Sequence, residues 1–140
     1  MSTRMMARQP GVVVTAAAAG LVEQVLAALA GRTFAGRNEV EVQDRVAAAL
    51  TEAGVGFARE YRLSERGRPD FLVGGQVVVE VKLKTPRSAV VRQLGRYAEH
   101  DSVGAIVLAS PSFTTLRNMR MTIHGVAVVP AVLHGPGLVI

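Results

Sequence analysis

The stretch Gly104-Ala105-Ile106-Val107-Leu108-Ala109 limits the fold more than any other part of the chain. It is too short for a buried helix, and nothing in it alternates between apolar and polar. A strand of this kind needs cover on both faces, so the chain has to build a sheet with helices above and below it. The rest of the sequence supplies those layers. Leu21, Val22, Val25, Leu26 and Leu29 mark one face of a helix from about Thr15 to Ala30, ended by Gly31. A second helix starts at Asn38, a good N-cap, and runs to Gly54 with Val42, Val46, Ala49, Leu50 and Ala53 inward. The period then changes. Phe57–Leu63 reads as a strand, Ser64–Gly67 as a turn, and Asp70–Val73 with Gln76–Lys84 as a hairpin about Gly74-Gly75. A third helix covers roughly Ser88–His100, with Val91, Leu94 and Ala98 inward. Val126–Val129 and Leu138–Ile140 are candidate edge strands. The order αα, βββ, αβ and short β predicts an α/β fold, a mixed central β-sheet flanked by helices.

At 140 residues the chain is expected to form one domain: a loose tail over 1–14, the N-terminal helix over 15–31, a core over 38–109 and C-terminal strands over 110–140. The absence of cysteine excludes a disulfide scaffold and any Cys-ligated metal. No Gly-x-x-x-x-Gly-Lys-[Ser/Thr] string is present, which argues against a P-loop NTPase. Arg4 and Arg8 ahead of Gly11–Val22 mimic the charged start of a signal peptide. That stretch stops at Glu23, well short of the roughly 20 apolar residues of a spanning helix. A cytoplasmic protein without a membrane partner is expected.

The chemistry-bearing pattern is Arg68-Pro69-Asp70, nine residues, then Glu80-Val81-Lys82. Alternation puts Glu80 and Lys82 on one face of their strand, with Val79, Val81 and Leu83 on the other. A strict two-residue turn at Gly74-Gly75 would send Asp70 to the wrong face. A three-residue loop or a bulge is expected to set it opposite Val78 and diagonal to Glu80. Two carboxylates there suit Mg²⁺, a hard cation that takes oxygen ligands, with the Val81 carbonyl as a further ligand. The chain has 14 arginines but only two lysines, Lys82 and Lys84, both on this strand. A compact ammonium where guanidinium is otherwise the rule marks Lys82 as a group that orients water or stabilises developing charge.

Two helices add candidates. On the second, Glu39 lies roughly 35° from the centre of the apolar stripe and Glu41 on the order of 125° away. Glu39 is therefore expected to lean over the sheet toward Asp70 and Glu80, with Glu41 and Gln43 competing for the role. On the third, Gln93 and Tyr97 share a face at i, i+4.

The set Glu39, Pro69-Asp70, Glu80-Val81-Lys82 and Gln93-Leu94-Gly95-Arg96-Tyr97 resembles the PD-(D/E)XK nuclease superfamily, the restriction-endonuclease-like fold, over about Asn38–Ala109. The Gln-x-x-x-Tyr piece is similar to the extra motif of RecB-type and lambda-exonuclease-like members. The short arginine-rich form resembles archaeal Holliday junction resolvases and small phage-encoded nucleases. The resemblance implies a restriction-endonuclease-like core and a Mg²⁺- or Mn²⁺-dependent deoxyribonuclease. It makes Asp70 and Glu80 metal ligands, Lys82 the catalytic lysine and Glu39 the helix glutamate completing the site. Gln93 and Tyr97 would support the site or touch substrate.

A net charge of +5 suits a DNA partner. Arg59, Arg62, Arg66, Arg68, Arg87, Arg92 and Arg96 bracket the motif, with Arg68, Arg92 and Arg96 the foremost candidates for substrate contacts. Scarce aromatics and no tryptophan favour backbone and shape recognition over base reading. The expectation is structure-selective cleavage of branched DNA or DNA ends, with endonuclease favoured over exonuclease; a catalytically silent DNA-binding module is the alternative. His100, His124 and His134 lack metal-ligand spacing. A mean hydropathy of +0.29 suggests more apolar surface than one small core hides. A homodimer is therefore expected, through the first helix or the C-terminal run.

Overall fold

The computed structural model describes residues 15–135. The chain forms α1 (Ala16–Leu29), α2 (Glu39–Glu52), β1 (Phe57–Arg59), β2 (Phe71–Val73), β3 (Val77–Val81), α3 (Arg87–Ala98), β4 (Ala105–Ser110), α4 (Phe113–Leu116), β5 (Met121–Ile123) and β6 (Val126–Val132). The strands make one open mixed sheet in the order β1-β2-β3-β4-β6-β5. β1, β2 and β3 run antiparallel as a meander, β3, β4 and β6 run parallel, and β5 returns antiparallel to β6. Every residue of β4 is buried, as its composition requires.

Each sheet face has its own core. Phe71, Val79, Val81, Val107 and Ala109 pack with Val22, Val25 and Leu29 of α1 and Val42, Val46 and Leu50 of α2. Leu72, Val78, Ile106, Leu108 and Val128 pack with Val90, Leu94 and Tyr97 of α3. Both long helices before the sheet begin at side-chain caps: Thr15 accepts the Ala18 N–H and Asn38 accepts the Glu41 N–H. Pro86 occupies the N-cap position of α3, where a missing N–H costs nothing.

The structure corrects several expectations. β1 ends at Arg59 instead of continuing to Leu63. Glu60 takes a left-handed φ of 53° while its N–H donates to the Asp70 carbonyl, and this turns the chain off the sheet. Ala53 is exposed and Val90, not Val91, is the fully buried valine of α3. Val126–Val129 is not an edge. It belongs to the longer β6, which lies between β4 and β5. Pro130 is tolerated there because β5 pairs only with Val126–Val128, leaving the outer side of β6 open beyond them. Strand β5 was missed because three residues carry almost no pattern. Its turn, His124-Gly125, has positive φ at both positions (51° and 76°), the geometry of a tight two-residue hairpin. The tail over 1–14 and the Leu138–Ile140 strand lie outside the described residues.

The first helix was one expected source of a dimer interface. Its stripe is covered within the chain: Val25 and Leu29 are buried in the core, and Leu21 packs against it. No helix among the described residues is long and apolar enough to cross a membrane.

Candidate active site

The hairpin decides where Asp70 falls. Val73 pairs with Val77 and Phe71 with Val79, so the loop is three residues, Gly74-Gly75-Gln76, without a bulge. Extending this register sets Asp70 directly across from Glu80, not opposite Val78 as expected. Asp70 stands one residue before β2, where the strand has just begun and its side chain can turn back over the strand end. Its Oδ2 accepts the Val81 N–H at 2.7 Å, while its own N–H donates to Glu80 Oε1 at 3.1 Å. The Glu80 carboxylate is thus bonded to the Asp70 backbone and the Asp70 carboxylate to the Val81 backbone, across the hairpin. Lys82 Nζ lies 3.2 Å from Glu80 Oε2.

Tyr97 closes the site from α3. It is 1% exposed. Its hydroxyl accepts from Gln93 Nε2 at 2.8 Å and donates to the Arg68 carbonyl at 3.4 Å. Arg68 therefore meets the site through its backbone, and its side chain is exposed. Arg92 and Arg96 point outward from α3 and do not meet the carboxylates.

The helix glutamate is placed differently from expectation. α2 packs on the Val79/Val81 face of the sheet, whereas Glu80 shares the α3 face with Val78. Glu39 is half-buried at the start of α2, in a cleft of about 990 Å³ with Leu83, Lys84 and Ser112. It stands near enough for its charge to act on Asp70, but among the described residues it does not converge with Asp70 and Glu80 as a third carboxylate. Glu41 is a helix-start residue: it accepts the Arg37 N–H at 2.9 Å and pairs with the Arg37 guanidinium. Gln43 is the α2 residue that reaches the site, donating from Nε2 to Asp70 Oδ1 at 3.1 Å. It follows Val42 on the buried side, one turn beyond Glu39. The signal for it is its position beside the apolar stripe; a neutral amide carries no charge to set it apart as the two glutamates are.

The electrostatics follow from burial. Glu80 is 1% exposed, and desolvation pushes its pKa up, with the Asp70 charge adding to the rise and Lys82 and the Asp70 N–H opposing it. Desolvation raises Asp70 as well. The Val81 N–H and Lys82 pull it down, and the charges of Glu39 and Glu60 push it up. Burial is also the main cause holding the Tyr97 hydroxyl protonated far above the ordinary tyrosine range, followed by the charges of Glu80 and Asp70. Two carboxylates against one ammonium leave a negative excess when both ionise, in a place where water does little to relieve it.

This donor set suits a hard divalent cation. Each of the four carboxylate oxygens accepts at least one donor, and the carboxylates keep further lone pairs to offer. The protein ligands would be Asp70, Glu80 and the Val81 carbonyl, with water completing the shell. Among the described residues no three His, Cys, Asp or Glu side chains converge to hold a metal, so a cation here would keep several waters. No family model, no curated protein and no solved structure matches this chain.

Proposed function

We propose that the chain is a Mg²⁺- or Mn²⁺-dependent deoxyribonuclease of the PD-(D/E)XK type, hydrolysing phosphodiester bonds at Asp70, Glu80 and Lys82. The observation that carries this reading is the buried Glu80 carboxylate, joined to the half-buried Asp70 across the hairpin and with Lys82 Nζ 3.2 Å from its Oε2. A purely structural role would be better served by a hydrophobic hairpin end, because burying two like charges beside a single ammonium is costly. The α/β mixed sheet with the pair at the end of its central strand β3 is the architecture such a core would have.

Bound between the carboxylates, the cation would polarise the scissile phosphate and acidify a water. The chain's own residues do the rest. Asp70 and Glu80 hold their oxygens fixed, because each is bonded to the other's strand. Lys82 puts an ammonium beside the Glu80 carboxylate, where it orients the attacking water and offsets charge developing on the phosphate. Gln43 and the Val81 N–H orient Asp70. Tyr97 keeps its proton and, through the Arg68 carbonyl, fixes the loop that delivers Asp70. Branched DNA or DNA ends are the proposed substrates, cut endonucleolytically, since the scarce aromatics favour shape over base reading.

Purified protein incubated with supercoiled plasmid, four-way junctions, flaps and single strands in Mg²⁺ or Mn²⁺ is expected to nick or cut at least one of them. End-blocked circles that stay intact while linear DNA is degraded would move the assignment to an exonuclease. No cleavage at enzyme excess, with DNA binding that Asp70→Ala leaves unchanged, would establish a catalytically silent binding module instead. Its starting point is that Glu39 does not join the carboxylate pair.

A further inference from the structure

The arginines divide into two populations. Arg32 pairs with Glu52, Arg37 with Glu41 and Arg59 with Asp44, and Arg87 donates to the carbonyls of Arg117 and Asn118 at 2.9 and 3.0 Å. The side chains of Arg45, Arg62, Arg66, Arg68, Arg92, Arg96, Arg117 and Arg120 make no hydrogen bond and no ion pair among the described residues and are exposed, and of these Arg66, Arg92 and Arg96 come together. They line one cleft of about 750 Å³ between α3, the Ser64–Gly67 turn and the β5–β6 hairpin. Glu65 and Glu99 line it too, yet no guanidinium engages either; Glu99 instead lies 3.9 Å from His124 Nε2. Three guanidiniums left unpaired with carboxylates nearby are side chains held available for another anion.

We infer that this cleft is the path of the nucleic-acid backbone, with Arg66, Arg92 and Arg96 as its phosphate contacts. The inference rests on the reading of Asp70, Glu80 and Lys82 as a phosphodiester-cleaving site. The chain connects the two places at short range. Arg92 and Arg96 each precede by one residue the Gln93 and Tyr97 that close the site, so α3 offers one face to the carboxylates and the next to the cleft. Arg66 precedes Gly67, where an added Cβ would lie 3.7 Å from the Tyr97 ring, and the segment continues to Asp70. A backbone lying in the cleft is therefore held by the same two segments that build the site. A membrane surface fits less well: the cleft is concave, its apolar lining (Val91, Ile123) is half-buried, and the exposed large hydrophobics Val40, Tyr61 and Phe113 lie elsewhere.

Binding is measured apart from cleavage, in EDTA, by fluorescence anisotropy of a labelled duplex and a labelled four-way junction across a salt series. Arg66→Gln/Arg92→Gln/Arg96→Gln should bind at least about tenfold more weakly, with the slope of log K against log salt reduced by about 3. Arg66→Lys/Arg92→Lys/Arg96→Lys should keep the slope, because charge rather than fork geometry releases counterions. Arg32→Gln/Arg37→Gln, which removes two paired guanidiniums, should leave it unchanged. Thermal melts confirm that each variant folds, as exposed positions allow. An unchanged slope in the triple glutamine variant overturns the inference, and so does wild-type protein that binds phosphatidylserine vesicles but no DNA. If wild type fails to cleave while the triple variant loses slope, the nuclease reading falls and the cleft stands. If wild type cleaves and the triple variant cleaves with unchanged KM, the cleft falls and the nuclease reading stands.

Discussion

Lys82 and Glu80 sit on the same strand face 3.2 Å apart, and their substitutions separate chemistry from stability. Lys82→Ala leaves both carboxylates and their backbone donors in place. It is expected to keep divalent-cation affinity, followed by calorimetry, while cleavage falls by roughly two orders of magnitude or more. Lys82→Arg should not restore the rate, because a planar guanidinium cannot take the place of a compact ammonium. Near-normal cleavage by Lys82→Ala would show that the site has been misplaced. Glu80 carries the opposite test. Its folded pKa is raised, so the folded state binds a proton more tightly than the unfolded chain does. The associated stability is fully present below the ordinary carboxylate range and is lost as pH rises through the raised value. In EDTA the gap in melting temperature between Glu80→Gln and wild type should therefore widen in favour of the variant from pH 5 to pH 8. Added Mg²⁺ should raise the wild type at pH 8 and the variant much less. A gap independent of pH would mean that the Glu80 carboxyl is not held protonated by the fold.

At the scale of elements, the β2–β3 hairpin does most to position the site, and its loop is also where α1 meets it. Gly74 has φ +57°, and a Cβ there would lie 2.7 Å from Leu21 Cδ1. Gly74→Ala should cost about 1 kcal/mol or more from backbone conformation, with further cost from moving Leu21, read as a shift of the urea midpoint. Any slip in this loop moves Asp70 off Glu80, so activity should fall further than stability does. The same hairpin shows how far the sequence could be read. Its strands, the Glu80–Lys82 face and the need for a loop longer than two residues were all visible in Asp70–Lys84, because a period of two leaves few options. The direct Asp70–Glu80 pairing was not, since it depends on counting Gln76 in the loop. The faces of α2 were harder. Helical periodicity sets Glu39 nearer the apolar stripe than Glu41, yet both are half-buried in the fold, and periodicity does not say which sheet face a helix covers. That choice set Gln43, not Glu39, against Asp70. Strand β5 and the one-turn α4 were illegible for a simpler reason: three or four residues are shorter than the periods that would reveal them.

For the whole molecule, the open question is what the apolar surplus in the sequence does. A positive mean hydropathy suggested an interface between copies, with α1 as one candidate. In the fold the two cores lie back to back on one sheet, and α1 with α2 packs over Val77, Val79, Ala105 and Val107, joined by Phe34 and Leu133. Strand β6 is likewise interior, so most of the apolar residues read as surplus are needed inside one copy. This turns the proposal of a homodimer into a sharper test. Val25 is fully buried in α1, and Val25→Ala should cost roughly 1–3 kcal/mol by removing packed methyl groups. If α1 serves only its own sheet, the loss in melting temperature will be the same at low and high micromolar protein. If α1 also joins two copies, stability is tied to association, and the deficit will grow on dilution. Light scattering across the same series reads the mass directly. A concentration-independent deficit with a dimeric mass would place the contact elsewhere on the chain, and a monomeric mass at every concentration would remove the homodimer altogether.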